Sequence, residues 1–241
     1  MTVAAIVPAA GRGERLGPGQ PKALREIGGM PMLVHAVRSL SRARLVEQVV
    51  VAAPPDGVSQ VRALLLSYDV GAEVTVVAGG AERQHSVALA LAALPVEIDV
   101  VLVHDAARPL APSELADAVA AAVIAGHPAV VPGLPIADTV KRVAANGPAD
   151  EGPAAGEQVL ATVDRHDLRS IQTPQGFART VLAAAHEHAT GVATDDAGLV
   201  ERLGVPVVVV QGSSEAFKIT RPLDLLLAEA VLAQRRVHGA L

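Results

Sequence analysis

The chain has 241 residues, of which 51% are hydrophobic, so it can bury a sizeable core in one large α/β domain or two small ones. It contains no cysteine, which excludes disulfides, cysteine-ligated zinc and thiol nucleophiles. An aromatic content of 1% and a net charge of −5 argue against base-stacking platforms and against general attraction to nucleic acids or anionic membranes. The sequence lacks a membrane-length apolar run and a signal-like N-terminus, which predicts a cytoplasmic location.

Strand-like and helix-like segments alternate along the chain. The predicted strands cover 2–7, 46–53, 73–78, 99–104, 128–132 and 206–211, and the predicted helices cover 31–43, 57–67, 82–94, 113–125, 178–189, 195–203 and 222–236. The runs at 100–103 and 207–210 are continuously apolar, which is typical of parallel strands buried on both faces. The pattern predicts one α/β domain over 1–241, with a mostly parallel twisted sheet and helices on both faces.

A glycine-rich loop follows the first predicted strand. It begins at Gly11 and carries the candidate cations Arg15 and Lys22 among several glycines and prolines. A strand that leads into such a loop brings backbone N–H groups to phosphates, so the loop predicts a site for a nucleoside triphosphate. Its spacing matches neither G-x-x-x-x-G-K-[ST] nor G-x-G-x-x-G. The alternative is an ordinary glycine-rich turn.

Two later loops also follow strand ends, where ligands bind in open α/β sheets. In the first, Gly79 and Gly80 open a helix and could face a base edge, with Ser86 adding a hydroxyl. The alternative is a simple strand-to-helix turn in which Glu82 favours the helix dipole. Because the carboxyl ends of parallel strands share one edge, we expect Gly79, Gly80 and the Asp105 of the second loop to meet Gly11 in one crevice.

The second loop reads His-Asp-Ala-Ala-Arg-Pro and follows the central strand. Asp105 is well placed for a ribose hydroxyl or a metal-bound water, and the small Ala106 and Ala107 allow a ligand to approach. The alternative is that Asp105 caps a turn and pairs with Arg108. His104 is interpreted as structural rather than catalytic.

The C-terminal third carries two further candidates. Pro222 at a first helical position and Thr220 as a cap explain a Thr-Arg-Pro string, whereas alternation directs Lys218 to the crevice. Thr194 is either the cap of a helix whose first acids, Asp195 and Asp196, favour the helix dipole, or a ligand-binding residue. His186 and His188, two apart on a predicted helix, are interpreted as surface residues.

Residues 134–175 interrupt the alternation. Two strand-like segments, 138–143 and 159–165, flank a polar, glycine- and proline-rich tip within 144–158. They predict a β-arm over 136–165. An isolated hairpin is marginally stable in water, so we expect the arm to pack on another subunit.

Eight motifs occur in an order that spans nearly the whole chain. They are Ala-Ala-Gly-x-Gly-x-Arg…Pro-Lys, Gly-Gly-x-x-Arg-x-x-Ser, His-Asp-Ala-Ala-Arg-Pro, Asp-Thr-Val-Lys-Arg, Thr-Val-Asp-Arg, Thr-Pro-Gln, Thr-Asp-Asp-Ala and Lys-Ile-Thr-Arg-Pro. The set closely resembles the 2-C-methyl-D-erythritol 4-phosphate cytidylyltransferase family of the non-mevalonate isoprenoid pathway. The resemblance implies a Rossmann-like nucleotidyltransferase fold and a homodimer with an exchanged β-arm.

The resemblance also implies a role for individual residues. CTP would be bound through its cytosine and ribose by Ala9, Ala10, Gly11, Gly80, Ser86, Asp105 and Ala106. The catalytic phosphate contacts would come from Arg15, Lys22 and Lys218. The sugar phosphate would be bound by Asp105, Arg108 and Thr194, and from the partner subunit's arm by Thr139, Arg165 and Thr173.

The implied reaction is attack by a phosphate oxygen of methylerythritol phosphate on the α-phosphorus of CTP, with loss of pyrophosphate. Mg²⁺ would be held mainly by the CTP phosphates, since no carboxylate cluster in the sequence suggests a protein cage. Ala81 stands where many relatives carry an acid, which removes a side-chain contact with the nucleotide, and the segment between Arg142 and Thr162 is longer than in short-armed relatives.

Three alternatives remain at this point. They are a ribitol 5-phosphate cytidylyltransferase of the same fold, a CTP-binding protein without catalysis and a nicotinamide-dependent oxidoreductase. The loop spacing disfavours the oxidoreductase, and the three cations Arg15, Lys22 and Lys218 argue against a non-catalytic protein.

Overall fold

The computed structural model describes residues 1–11, 21–71, 73–144, 156–191 and 193–237. The strands are β1 Thr2–Pro8, β2 Glu26–Ile27, β3 Met30–Pro31, β4 Val46–Ala53, β5 Glu73–Ala78, β6 Ile98–Val103, β7 Ala129–Pro135, β8 Val140–Val143, β9 Val159–Val163, β10 Arg169–Ile171, β11 Gln175–Ala178 and β12 Val208–Gln211. The helices are α1 Met32–Arg42, α2 Val58–Ser67, α3 Arg83–Ala92, α4 Ser113–Ile124, α5 Arg179–Glu187, α6 Asp196–Arg202 and α7 Pro222–Val237. Each predicted element outside the arm is found, with ends displaced by at most three residues.

A central sheet of eight strands organises the molecule. Its order is β10-β7-β11-β6-β1-β4-β5, and β12 also pairs with β7. The pairs β1–β4, β1–β6, β4–β5 and β7–β12 are parallel. The pairs of β11 with β6 and β7 and of β10 with β7 are antiparallel. The predicted α/β fold with a mostly parallel sheet is confirmed.

Four strands were not predicted, namely β2, β3, β10 and β11, because they are short and lack a clear alternation of apolar and polar residues. β11 lies antiparallel between β6 and β7. A Cβ at Gly176 would lie 2.6 Å from Cγ1 of Val119 on α4, so glycine allows this helix to pack closely on β11.

Both faces of the sheet are covered by helices. Along β1, Val3, Ala5 and Val7 belong to one apolar cluster, whereas Ala4 and Ile6 belong to another on the opposite face. The first cluster includes α1, α2 and α4, and the second includes α3, α5 and α6. Each fully buried valine or isoleucine contributes roughly 1.5–3 kcal/mol by leaving water, so the continuous apolar runs have their physical reason in this two-sided burial.

The last helix begins as predicted, but its cap differs from the expectation. α7 starts at Pro222. Thr220 does not cap it; instead the Asp224 carboxylate accepts hydrogen bonds from the Thr220 N–H and hydroxyl and from the Arg221 N–H. These hydrogen bonds lower the pKa of Asp224. They fix the short segment between Lys218 and α7.

The predicted arm is found as a two-stranded antiparallel sheet of its own, formed by β8 and β9. Its side chains are largely exposed, and Val159 and Leu160 keep 54% and 57% of their surface in solvent. Of the predicted tip, 145–155 lies outside the described residues. In the part of the chain that the structure describes, no helix has the length and apolarity needed to cross a membrane.

Candidate active site

The loops after β1, β5 and β6 surround one cavity of about 260 Å³ at the carboxyl edge of the sheet. Gly11, Gly80 and Asp105, which were expected to converge, all line this cavity. Its other walls come from Pro8, Ala9, Ala10, Lys22, Ala23, Ala81, Glu82, Arg83, Ser86, Ala106, Ala107 and Lys218. Arg15, the third predicted phosphate-binding cation, lies outside the described residues.

A larger cavity of about 570 Å³ lies between α1 and α7. Several of its arginines are already bound to backbone carbonyls: Arg38 to Tyr68, Arg235 to Leu110 and Arg236 to Gly28. The smaller cavity is the better candidate, because it contains the loops that follow three parallel strands of the sheet and the predicted Lys22 and Lys218.

The wall formed by the Gly79-Gly80 loop depends on close backbone packing. A Cβ at Gly79 would lie 2.8 Å from Cβ of Ala10, so glycine allows the two loops to touch. The Ser86 hydroxyl, only 1% exposed, accepts from the Gly80 N–H and donates to carbonyls of the loop. Ser86 therefore holds this loop in place. Glu82 is the N-cap residue just before α3 and makes no side-chain capping bond.

Asp105 is the electrostatic centre of the cavity. One of its oxygens lies 3.0 Å from Arg83 Nε, and the other lies 2.7 Å from Lys218 Nζ. Burial by itself raises the pKa of Asp105, but the positive charges of Arg83 and Lys218 outweigh it and hold that pKa well below its usual value. The carboxylate is therefore ionised at neutral pH and keeps both cations at the cavity wall.

Arg108 does not pair with Asp105, so that alternative is wrong. Its two terminal nitrogens donate to the carbonyls of Ala216 and Ile171, at 2.7 and 3.2 Å. Its Nε is buried and has no hydrogen-bond partner, and burial lowers the pKa of the guanidinium. Arg108 lies outside the walls of the described cavity, and its predicted contact with the sugar phosphate stays a prediction.

Thr173 lies beneath Asp105 in the same chain, which corrects the expectation that it would act from a partner's arm. Its hydroxyl oxygen accepts from the Asp105 N–H at 3.0 Å and lies 3.0 Å from Nδ1 of His104. Nε2 of His104 lies 3.2 Å from the Arg108 carbonyl oxygen, which can only accept, so Nε2 carries the proton. Burial lowers the pKa of His104 to about 4, which keeps it neutral. This fits the structural role that the sequence suggested.

A second carboxylate, that of Asp196, binds the Arg83 guanidinium in addition to Asp105. Arg83 Nη1 lies 2.7 Å from one Asp196 oxygen, and Nε2 of His186 lies 3.0 Å from the other. The His186 side chain is 5% exposed, so its interpretation as a surface residue is wrong. Burial raises the pKa of Asp196, but hydrogen bonds from His186 and the charge of Arg83 lower it overall.

The start of α6 is held by side chains that were not predicted to cap it. Asp195, not Thr194, caps α6 by accepting from the Gly198 N–H. Gln175 on β11 is 1% exposed; its amide donates to Asp195 at 2.7 Å and accepts from the Ala197 N–H. Thr194 is exposed, and its predicted contact with the substrate stays a prediction.

The two remaining candidates lie at the base of the arm. Thr139 and Arg165 are exposed, and the Arg165 guanidinium donates to the Ala137 carbonyl. Neither residue lines the cavity of its own chain. The structure therefore leaves both side chains available to another molecule.

Sequence reasoning missed the roles of Arg83, Gln175 and Asp196. Arg83 and Gln175 were inside recognised motifs but received no role, and Asp196 was interpreted as an acid that favours a helix dipole. The sequence did contain a signal for the ion pair, because Arg83 and Asp196 lie in two separate motifs and carry opposite charges. Their contact joins residues 113 positions apart, and periodicity carries no information at that range.

Comparison with known proteins gives a consistent result. A family model described as 2-C-methyl-D-erythritol 4-phosphate cytidylyltransferase (IspD) matches residues 3–234. Proteins of that name from Streptomyces avermitilis and Frankia casuarinae are 58% and 60% identical to this chain. The alignments cover 98% and 96% of this chain and 93% and 82% of theirs.

Solved structures agree with the sequence comparisons. The 2-C-methyl-D-erythritol 4-phosphate cytidylyltransferase of Thermus thermophilus is 37% identical, with a TM-score of 0.73 over 97% of this chain and all of that one. The 4-diphosphocytidyl-2C-methyl-D-erythritol synthase of Anaerococcus prevotii is 28% identical, with a TM-score of 0.80 over 96% of both chains. The chain therefore belongs to the 2-C-methyl-D-erythritol 4-phosphate cytidylyltransferase family.

Proposed function

We propose that this chain transfers a cytidylyl group from CTP to 2-C-methyl-D-erythritol 4-phosphate, releasing pyrophosphate. The observation that carries the proposal is the cavity in which Lys22 and Lys218 lie with Asp105 and the backbone of the Gly11 and Gly80 loops. Two ammonium groups beside glycine loops suit a triphosphate. Membership of the family supplies the substrate pair.

The proposed reaction is an in-line displacement at phosphorus. A phosphate oxygen of the sugar phosphate forms a new bond to the α-phosphorus of CTP, and the bond to the bridging oxygen of pyrophosphate breaks. The attacking oxygen is already anionic, so no strong general base is required. The task of the protein is to hold two polyanions in line and to neutralise charge at the α-phosphate.

Lys22 and Lys218 are proposed to neutralise that charge, together with Arg15. The side chain of Lys218 is 40% exposed, and Asp105 holds its Nζ at 2.7 Å. Lys218 is therefore already at the cavity and can turn towards a phosphate. The buried Ala9 and Ala106 and the half-buried Ala10 leave room for the nucleoside. Asp105 is proposed to bind the ribose.

Mg²⁺ is proposed to be held mainly through the nucleotide. Among the residues that the structure describes, no group of three or more histidine or acidic side chains is arranged to hold a metal ion. Both oxygens of Asp105 already face cations, so the donor set fits a metal that arrives with CTP. When bound, such an ion supplies charge neutralisation on the phosphates.

We further propose that a second copy of the chain completes the site. The exposed Val159 and Leu160 on the arm favour burial against another protein surface. Thr139 and Arg165, at the base of the arm, are proposed to reach the sugar phosphate in the partner's cavity. The cytoplasmic location and the lack of nucleic-acid and membrane partners stay predictions of the sequence.

The test is pyrophosphate release by the full chain with CTP and Mg²⁺, supplied with either methylerythritol phosphate or ribitol 5-phosphate. Turnover with the first alone supports the proposal. Turnover with the second alone would keep the reaction class but replace the acceptor. CTP binding without turnover on either acceptor would favour a non-catalytic nucleotide-binding protein.

A mixing experiment tests the shared site. The Lys22→Ala variant lacks a phosphate contact, and the Arg165→Ala variant lacks the proposed contact from the arm. Each variant alone is expected to be nearly inactive, and mixed dimers are expected to regain part of the activity because one of their two sites is intact. Absence of rescue, or a monomer in sedimentation at micromolar concentration, would contradict the shared site.

A further inference from the structure

A continuous series of polar contacts runs from the interior of the molecule to the cavity. Its links are His186 Nε2 to Asp196 at 3.0 Å, Asp196 to Arg83 Nη1 at 2.7 Å, Arg83 Nε to Asp105 at 3.0 Å and Asp105 to Lys218 Nζ at 2.7 Å. Each carboxylate uses one oxygen for each neighbour. The series therefore connects α5 to the lysine that faces the phosphates.

The far end of this series is well buried. Asp196 is 1% exposed, and the His186 side chain is 5% exposed. A buried carboxylate requires partners for both oxygens, because an ionised group without them loses its hydration and gains nothing in return. Arg83 satisfies one oxygen of Asp196, and His186 satisfies the other.

At the cavity end of the series, Asp105 and a phosphate of the substrate compete for Lys218. Asp105 holds Lys218, but Lys218 is proposed to turn to a phosphate during the reaction. The carboxylate can release Lys218 only while another cation balances its charge. Arg83 is that cation, and its direction depends on Asp196.

We propose that His186 is a positioning residue for the transfer reaction: it orients Asp196, which aims Arg83 at Asp105 and so allows Lys218 to leave Asp105 for the phosphate. The inference rests on the proposed function for its kinetic effect. His186 does not line the cavity. No other residue in the described part of the chain donates a side-chain hydrogen bond to that oxygen of Asp196.

Three variants of the full chain test the kinetic effect. His186→Leu removes the donor while keeping much of the volume, and His186→Gln keeps a side-chain N–H. His188→Leu is the matched control, because His188 lies two residues on, is exposed and has its ring Nδ1 hydrogen-bonded to the Ala184 carbonyl of its own helix. Pyrophosphate release gives kcat and the KM values for both substrates, and urea unfolding shows whether each variant is folded.

His186→Leu is expected to lower kcat about tenfold with a change of less than about twofold in KM for CTP, the loss that one charge-assisted hydrogen bond can produce. The kcat of His186→Gln is expected to stay within about threefold of that of the unmodified chain, and the kcat of His188→Leu is expected to equal it. If His186→Leu does not fold, His186→Met fills the same space with a more adaptable side chain. Equal losses of kcat in His186→Leu and His186→Gln, or no loss of kcat in either variant, would overturn the proposal.

A second measurement does not depend on turnover. The chain has only three lysines, so amine labelling followed by peptide mass spectrometry reports Lys218 separately from the exposed Lys141. In His186→Leu, Asp105 loses support from Arg83 and keeps Lys218 more firmly, so the labelling rate of Lys218 relative to Lys141 is expected to fall by about threefold or more.

The two readouts separate this inference from the proposed function. An inactive unmodified chain would refute the proposed function while the labelling ratio still tests the role of His186. A labelling ratio that is the same in the unmodified chain, His186→Leu and His186→Gln would overturn the positioning role. A fall in the leucine variant that the glutamine variant restores would support it.

Discussion

Replacement of Thr173 by valine tests how Asp105 is held in place. Valine has nearly the shape of threonine, so the change removes the hydroxyl and little else. The buried hydroxyl, in a residue that is 4% exposed, lies 3.0 Å from both the Asp105 nitrogen and His104 Nδ1. The variant leaves a buried N–H and a buried ring nitrogen without partners.

The size of the effect follows from these two contacts. A hydrogen bond contributes about 1 kcal/mol net, and a buried polar group left without a partner costs about 1–3 kcal/mol. The free energy of unfolding is therefore expected to fall by about 2–4 kcal/mol. Because Asp105 loses its backbone anchor, kcat is expected to fall by about tenfold as well.

Urea unfolding at pH 7.5 measures the first quantity, and pyrophosphate release measures the second. Thr180→Val is the control for stability, since Thr180 is exposed on α5 and a surface change of this kind stays within about 0.5 kcal/mol. If Thr173→Val loses no more stability than this control, the Thr173 hydroxyl does not anchor Asp105.

Three further predictions concern charge. Lys218→Ala is expected to lower kcat by about 10²–10³-fold, whereas Arg62→Ala, on the exposed face of α2, leaves kcat unchanged; near-normal turnover of the lysine variant would refute its role. The pKa of His104 is about 4 in the folded chain and 6.5 ordinarily, so the unfolded chain binds the extra proton and stability falls as pH drops from about 6.5 to about 4, by up to roughly 3 kcal/mol. The urea midpoint of unfolding, measured across that pH range, reports this loss, and His104→Gln is expected to make the loss smaller. A midpoint of the unmodified chain that does not change with pH would contradict a buried, neutral His104. Removal of divalent cations with EDTA is expected to abolish turnover reversibly and to leave the urea midpoint unchanged, and a lowered midpoint would indicate a metal held by the protein itself.

The helices and most of the sheet could be predicted from the sequence because their signals are local. An apolar run such as that of β6 reflects burial on both faces, and Pro222 marks the first turn of α7 whatever the rest of the chain does. The convergence of Gly11, Gly80 and Asp105 also followed, because parallel strands place their carboxyl ends at one edge. β11 could not be predicted, since its four residues have no clear period and only the gap between β6 and β7 defines it.

The candidate site residues could likewise be predicted only in part. Motifs selected Lys22, Lys218 and Asp105 and the general position of the nucleotide. They did not indicate which charges pair, because a pairing depends on distances between elements far apart in the sequence. Lys218 and Asp105 are 113 residues apart, and so are Arg83 and Asp196.

By itself, then, the sequence determined the fold class, the family resemblance and the set of polar residues at the strand ends. Only the tertiary structure decided that Thr173 anchors Asp105 in its own chain, that Arg108 binds backbone carbonyls and that His186 is buried against Asp196. The physical reason is that strand and helix patterns are written in neighbouring residues, whereas the partner of a buried charge is chosen by the packing of α3, α5 and α6 on the sheet.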